Sequence, residues 1–165
     1  MSYAFLESDI EEYSNAEFLN DLDTRAYGKD RWLLLKPLYY VTMVRGYPEL
    51  IVVPKYYITD LSSIPRWARF ALPVNDYHRW AGTLHDFLFD SQDQHDYSRL
   101  EVDQIFREAM EITPLEPWKC SAMYRAVRIG AGSNWKNNQS RSGAIPGGMS
   151  YVTGQILPPT GKYRF

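Results

Sequence analysis

Around Thr59-Asp60-Leu61-Ser62-Ser63-Ile64-Pro65 the spacing of apolar residues changes from that of a strand to that of a helix. No other feature constrains the fold of this chain as much. Upstream, Trp32–Leu35, Tyr39–Val44 and Leu50–Val53 are rich in β-branched and aromatic residues, which suit a pleated, half-buried surface. Lys36-Pro37 and Gly46-Tyr47-Pro48 separate them, and the second break reads as a hairpin loop. Tyr56-Tyr57-Ile58 extends the pattern. A small antiparallel sheet over about residues 32–58 is the expectation.

Downstream the apolar residues recur at three and four. Pro65 suits a first helical position and Ser62 or Ser63 can cap it, which predicts a short helix through Trp67 and Phe70 that stops near Pro73. Trp80, Leu84, Phe87 and Leu88 predict a second helix from about Asp76 to Phe89. The polar run Asp90–Tyr97 reads as a loop. Ser98 followed by Glu101 is a capping box, in which hydroxyl and carboxylate each satisfy an amide at the helix start. It predicts a third helix through Val102, Ile105, Phe106, Ala109, Met110 and Ile112, ended by Thr113-Pro114. A fourth runs from Trp118 to about Ile129 and closes at Gly130-Ala131-Gly132. The fold class is α+β: a small sheet followed by about four helices.

The two ends differ from this centre. Residues 1–30 are acidic and irregular, with at most one helical turn, and read as an N-terminal arm. Residues 31–132 form the α+β domain. Residues 133–165 are rich in Gly and Pro and read as a C-terminal arm. Ordering such a segment costs about 1–2 kcal/mol per residue, and neighbouring chains in an assembly are the natural source of offsetting contacts. The candidate partner-binding residues there are Ile145, Pro146, Met149, Tyr151, Ile156, Leu157, Tyr163 and Phe165.

Composition narrows the function. A formal charge of −2 argues against a dominant electrostatic attraction to nucleic acid or to an anionic membrane surface. A single cysteine, Cys120, excludes an internal disulfide and a cysteine-based metal site. The first fifteen residues are acidic where a secretory signal needs a basic start and an apolar run. No stretch approaches the roughly 18 apolar residues of a membrane span. Synthesis in a bacterial cytoplasm is the expectation.

Titratable groups converge on an apolar setting in one place. His85 and Asp86 lie in Leu84–Phe89, and Asp103 lies in the next helix. Consecutive helical residues diverge by about 100°, so His85 and Asp86 flank one spot rather than share it. An antiparallel neighbour can bring Asp103 to one imidazole nitrogen, fixing the tautomer and leaving the other nitrogen as a base. Asp86 then remains as a metal ligand, with Asp60 as a second. The competing reading is a buried polar brace that fixes helix register. His78 and His95 read as exposed, Asp90, Asp93 and Asp96 as solvated loop acids, and Cys120 as a small core residue. Arg125 and Arg128 either pair with acids or pack through their stems.

Val53-Pro54, Ile58–Arg66, Leu84-His85-Asp86, Ser98-Arg99, Asp103, Ile105-Phe106, Ala109-Met110, Met123-Tyr124 and Val127-Arg128 occur in that order. Together they resemble the family called domain of unknown function 1353, found in tailed phages and prophages. The resemblance covers about residues 32–130 and implies a phage-encoded protein from the region of virion genes; it implies no particular activity. The helix pair alone is similar to calcium-dependent phospholipase A2, whose pattern has a His base, a calcium-binding Asp after it and a later Asp that orients the His. That similarity implies His85 as base, Asp86 as calcium ligand and Asp103 as the orienting group. Phe89 stands where that pattern has Tyr, and no Gly-rich calcium loop precedes the helix, although Thr59–Ser63 could stand in for it.

The leading expectation is a structural component of a tailed-phage virion, at the tail, neck or baseplate, with no required cofactor and held to other virion proteins by its arms. The alternative is a phospholipase-like hydrolase that uses calcium and acts on the host envelope. A phage assembly or host-interaction factor without catalysis is a third.

Overall fold

A computed structural model of the protein describes residues 10–28, 31–60 and 77–130, together with Gly132 and Trp135. The predicted short helix through Trp67 and Phe70, and the predicted C-terminal arm beyond Trp135, lie outside the described residues. The chain is α+β. After a 3-10 turn at Ile10–Glu12 come strands β1 (Glu17–Phe18), β2 (Thr24–Ala26), β3 (Trp32–Leu34), β4 (Leu38–Thr42), β5 (Glu49–Val53) and β6 (Ile58–Thr59). Three helices follow among the described residues: α1 (His78–Asp90), α2 (Arg99–Glu111) and α3 (Pro117–Gly130).

The strands form two three-stranded antiparallel sheets, ordered β1-β4-β5 and β2-β3-β6. The sequence pattern led us to expect one. The difference arises because β3 pairs with β6 and not with the β4–β5 hairpin, and residues 17–26, expected as part of an irregular arm, add an edge strand to each of the two sheets. Those strands are two and three residues long, too short for a period of two to register. Phe18 lies opposite Tyr40, with ring centroids 4.6 Å apart, so an aromatic cross-strand pair holds β1 in place. The β4–β5 hairpin turns at Met43–Gly46, where the Gly46 N–H reaches the Met43 carbonyl at 2.8 Å. Gly46 sits at φ +83°, a left-handed backbone that glycine adopts without penalty.

Register decides which side chains meet the helices. Leu38 opposite Val53 and Tyr40 opposite Ile51 are buried pairs on the inner face of the hairpin. Helix α1 is central: ten of its thirteen residues are buried, so it lacks the polar face of a surface helix. Helix α2 begins at the predicted capping box, with Ser98 Oγ accepting from the Glu101 N–H at 3.3 Å and Glu101 Oε2 accepting from the Ser98 N–H at 2.7 Å. Helix α3 packs through Cys120, Met123, Ala126 and Val127. These helices and the hairpin share one core, which includes Leu34, Tyr57, Leu84, Leu88, Ile105, Phe106 and Met110.

Candidate functional site

The core of a three-helix layer should be apolar, yet here it encloses a histidine and two carboxylates. Helix α1 carries His85 inward between aromatic neighbours, with Phe89 at 4.3 Å and Phe106 at 4.9 Å between ring centroids. His85 and Asp103 are both 0% exposed. His85 Nε2 lies 2.8 Å from Asp103 Oδ1, as the antiparallel-neighbour argument expects. A carboxylate only accepts, so Nε2 carries the proton and Nδ1 presents a bare lone pair. Nδ1 is itself buried and has no hydrogen-bond partner among the described residues. Burial pushes the imidazole below its ordinary pKa, the bond to Asp103 opposes that shift, and Arg99 adds to it. The ring is therefore neutral at pH 7.

Asp103 is the hub of the cluster. Its second oxygen accepts from Arg128 Nη1 of α3 at 2.6 Å and lies 3.6 Å from Arg99 Nε, one turn earlier on α2. Arg99 Nη2 in turn donates to the Arg128 carbonyl at 2.7 Å, closing a loop between α2 and α3. The cluster thus joins all three helices, with two guanidinium groups against one carboxylate. Arg128 pairs with an acid, one of the two options open for it. The Arg99–Asp103 spacing of four residues is the signal that would have identified the second cation.

Asp86 is also buried, and accepts from the Thr59 hydroxyl of β6 at 2.6 Å. Asp60, the other proposed ligand, is exposed. Calcium takes six to eight oxygens. Among the described residues, no group of three or more His, Cys, Asp or Glu side chains is placed to hold a metal ion. Within that region Asp86 serves to tie α1 to the sheet.

Two histidines sit deeper than expected. His78 is buried, and His95 is partly buried with both nitrogens engaged: Nε2 donates to the Leu88 carbonyl at 2.8 Å, and Nδ1 accepts from the Tyr97 N–H at 3.2 Å. The loop folds back onto the end of α1 and takes His95 with it. Asp90 accepts from the Tyr57 hydroxyl at 2.7 Å, so it too is more than a solvated acid. Asp96 pairs with Arg45, and Cys120 is a core residue. A groove of about 390 Å³ opens beside Arg99, between the loop and Trp135. The candidate partner-binding residues from Ile145 to Phe165 lie outside the described residues.

A second polar clamp was not legible in the sequence. Glu108 of α2 accepts from the Tyr40 hydroxyl at 2.8 Å, the Thr42 hydroxyl at 2.7 Å and the Met43 N–H at 3.1 Å. Burial, reinforced by Glu108, pushes the Tyr40 phenol far above its usual range. Arg45 holds the other end of α2, with Nε on Glu101 at 2.8 Å, Nη1 on Asp96 at 2.9 Å and its guanidinium 4.4 Å from the Tyr97 ring centroid. That bond and the Ser98 amide hold Glu101 down to about 2.

No helix of the described residues is long and apolar enough to cross a membrane. Neither curated proteins nor solved structures yield a match. A family model described as Protein of unknown function (DUF1353) matches residues 32–127, the span from β3 through the Asp103 partners of α2 almost to Arg128, and the chain belongs to that family.

Proposed function

We propose that the chain is a non-catalytic structural component of a tailed-phage virion, with the His85–Asp103–Arg128 cluster as an internal brace. The single observation that carries the brace reading is the complete burial of His85 and Asp103 together with two arginines on the same carboxylate. A general base must reach its substrate directly or through one water. A fully buried imidazole whose partner is already neutralised serves instead to hold three helices in register. The virion assignment itself rests on the family resemblance. The test is mass spectrometry on gradient-purified virions of a phage that encodes the chain, with a disrupted allele beside it. Retention in the particle, and defective or tail-less particles when the allele is lost, are expected. Absence from the particle with normal assembly would overturn the reading.

The unpartnered Nδ1 of His85 favours a second reading, a phospholipase-like hydrolase acting on the host envelope. In it His85 draws a proton from water and Asp103 steadies the resulting imidazolium. Asp86 and Asp60 would serve as calcium ligands, yet two carboxylates fall short of the set that ion takes. Release of fatty acid from phospholipid vesicles with added calcium, lost in a folded His85→Ala protein, would decide for the enzyme. No release by either protein would exclude it.

A further inference from the structure

Both ring nitrogens of His95 are bonded to backbone groups whose roles are fixed. The Leu88 carbonyl can only accept, so Nε2, 2.8 Å away, carries a proton. The Tyr97 N–H can only donate, so Nδ1, at 3.2 Å, is bare. The two bonds together define one tautomer and one charge state, the neutral ring. A proton added at Nδ1 sets two donors face to face across the Tyr97 contact. The Leu88 bond survives that proton and the Tyr97 bond does not.

The bond that breaks lies within a strap held at both ends. The loop between α1 and α2 is fixed on one side at Ser91, whose N–H and hydroxyl both donate to the Phe87 carbonyl. On the other side the capping box fixes Ser98. Between these anchors His95 docks on Leu88, and Tyr97 closes back on His95 with ring centroids 5.4 Å apart. His95, Asp96, Tyr97 and Ser98 form one wall of the groove of about 390 Å³ beside Arg99. We propose that His95 is a proton-operated latch on this wall: the neutral ring holds the groove as observed, and the protonated ring releases the Tyr97 amide and lets residues 95–97 swing outward. This inference is independent of the virion and hydrolase readings.

The surrounding charges give the latch two states. Asp93 and Asp96, from the loop itself, favour a charged ring; Arg45, from the β4–β5 hairpin, opposes it, and α1 presents the Leu88 carbonyl. Arg99 of α2 lines the same groove. Asp93 is exposed and offers the Nδ1–H of a released ring an acceptor within the loop. Asp96 is held by Arg45 at 2.9 Å, but its carboxylate is 86% exposed, so that pair resists release only weakly. Burial holds the latched ring below its ordinary pKa near 6.5, against the opposing pull of the Leu88 carbonyl and the two acids. A released ring, in water, returns toward the ordinary value. The released population is therefore smallest above pH 6.5 and grows by up to about tenfold per pH unit below it, until the latched ring also takes the proton.

Nuclear magnetic resonance of the isotope-labelled full chain, from pH 7.5 to pH 5.5, tests the latch. At the upper end the His95 ring should show a proton on Nε2 and none on Nδ1. As pH falls, protection of the Tyr97 amide against hydrogen exchange, corrected for the intrinsic rate, should drop by up to about tenfold per unit in step with titration of the ring. His95→Asn supplies the control. Its Oδ1 can accept from the N–H two residues on, as in an Asx turn, and takes up no proton in this range. Tyr97 protection should persist in that variant and lose its pH dependence, with the α1 amides unchanged. Constant Tyr97 protection across the range in the parent chain overturns the proposal, whether or not the ring titrates. So does the opposite tautomer at pH 7.5, or a His95→Asn chain whose Tyr97 amide still opens as pH falls.

Discussion

Asp103→Asn is the sharpest test of the cluster at the centre of this protein. The substitution keeps the shape of the side chain and one carbonyl oxygen. That oxygen can still accept from His85 Nε2, where Oδ1 now sits at 2.8 Å. The other position becomes an NH2 group facing Arg128 Nη1, where Oδ2 now accepts at 2.6 Å. One charge-assisted bond, of about 1.5–3 kcal/mol, is replaced by two opposed donors or, with the amide turned over, by a neutral bond and an imidazole whose proton moves to the buried, unpartnered Nδ1. Arg99 loses its counter-charge at 3.6 Å as well. Removing one member of a fully buried pair costs about 3–5 kcal/mol. Here the two arginine side chains keep 35% and 26% exposure and can turn toward water, which places the loss near the lower end, about 3 kcal/mol. For a chain of this size that lowers Tm by about 6–12 °C. Urea and thermal unfolding followed by far-UV circular dichroism would measure it. A loss below about 1 kcal/mol would refute the reasoning, because the carboxylate would then contribute no more than an exposed ion pair.

Three further outcomes follow from the same contacts. His85 is neutral in the fold because burial lowers its pKa, so below its ordinary value near 6.5 the unfolded chain binds the extra proton and the folded chain does not. Stability should therefore fall as pH drops from 7.5 to 5.5, and His85→Leu should flatten that slope, read as urea midpoints at the two pH values. Glu101 is held down to about 2, so its contribution is complete above its unfolded value near 4.5 and is lost as pH falls toward 2. Glu101→Gln should make acid unfolding less steep in that window. Glu108→Gln keeps an oxygen for the Met43 N–H by turning its NH2 to the Tyr40 and Thr42 hydroxyls, which then accept instead of donating; losing the charge-assisted bonds should cost about 1–3 kcal/mol, measurable by urea unfolding at pH 7.

How much was legible depends on the range of the interaction behind each feature. The capping box at Ser98 and Glu101 was readable because both halves lie within one turn of backbone. The β4–β5 hairpin was readable for a similar reason, with Gly46 in a short turn between two apolar runs. The His85–Asp103 contact lay one step further out and still followed, since a short loop between two amphipathic helices leaves few ways to pair their inner faces. Edge strands β1 and β2 did not follow. Two or three residues carry no period, and their pairing with β4 and β3 comes from tertiary closure. The His95 environment failed likewise, because a polar loop can bury a side chain only where a carbonyl such as that of Leu88 is waiting.

The amino-acid sequence by itself determined the order of strands β3 to β6 and of the three described helices, the boundaries set by caps and turns, and most of the apolar residues that face inward. These depend on periodicity and on contacts within a few residues. Only the tertiary structure decided that Asp103 is shared by His85, Arg128 and Arg99, and that Glu108 locks α2 to β4. The reason is physical: the state of a buried charge depends on every group that can reach it through a low dielectric, and those groups come from segments far apart in the chain. The same convergence makes His85, alone a plausible base, part of a brace between helices.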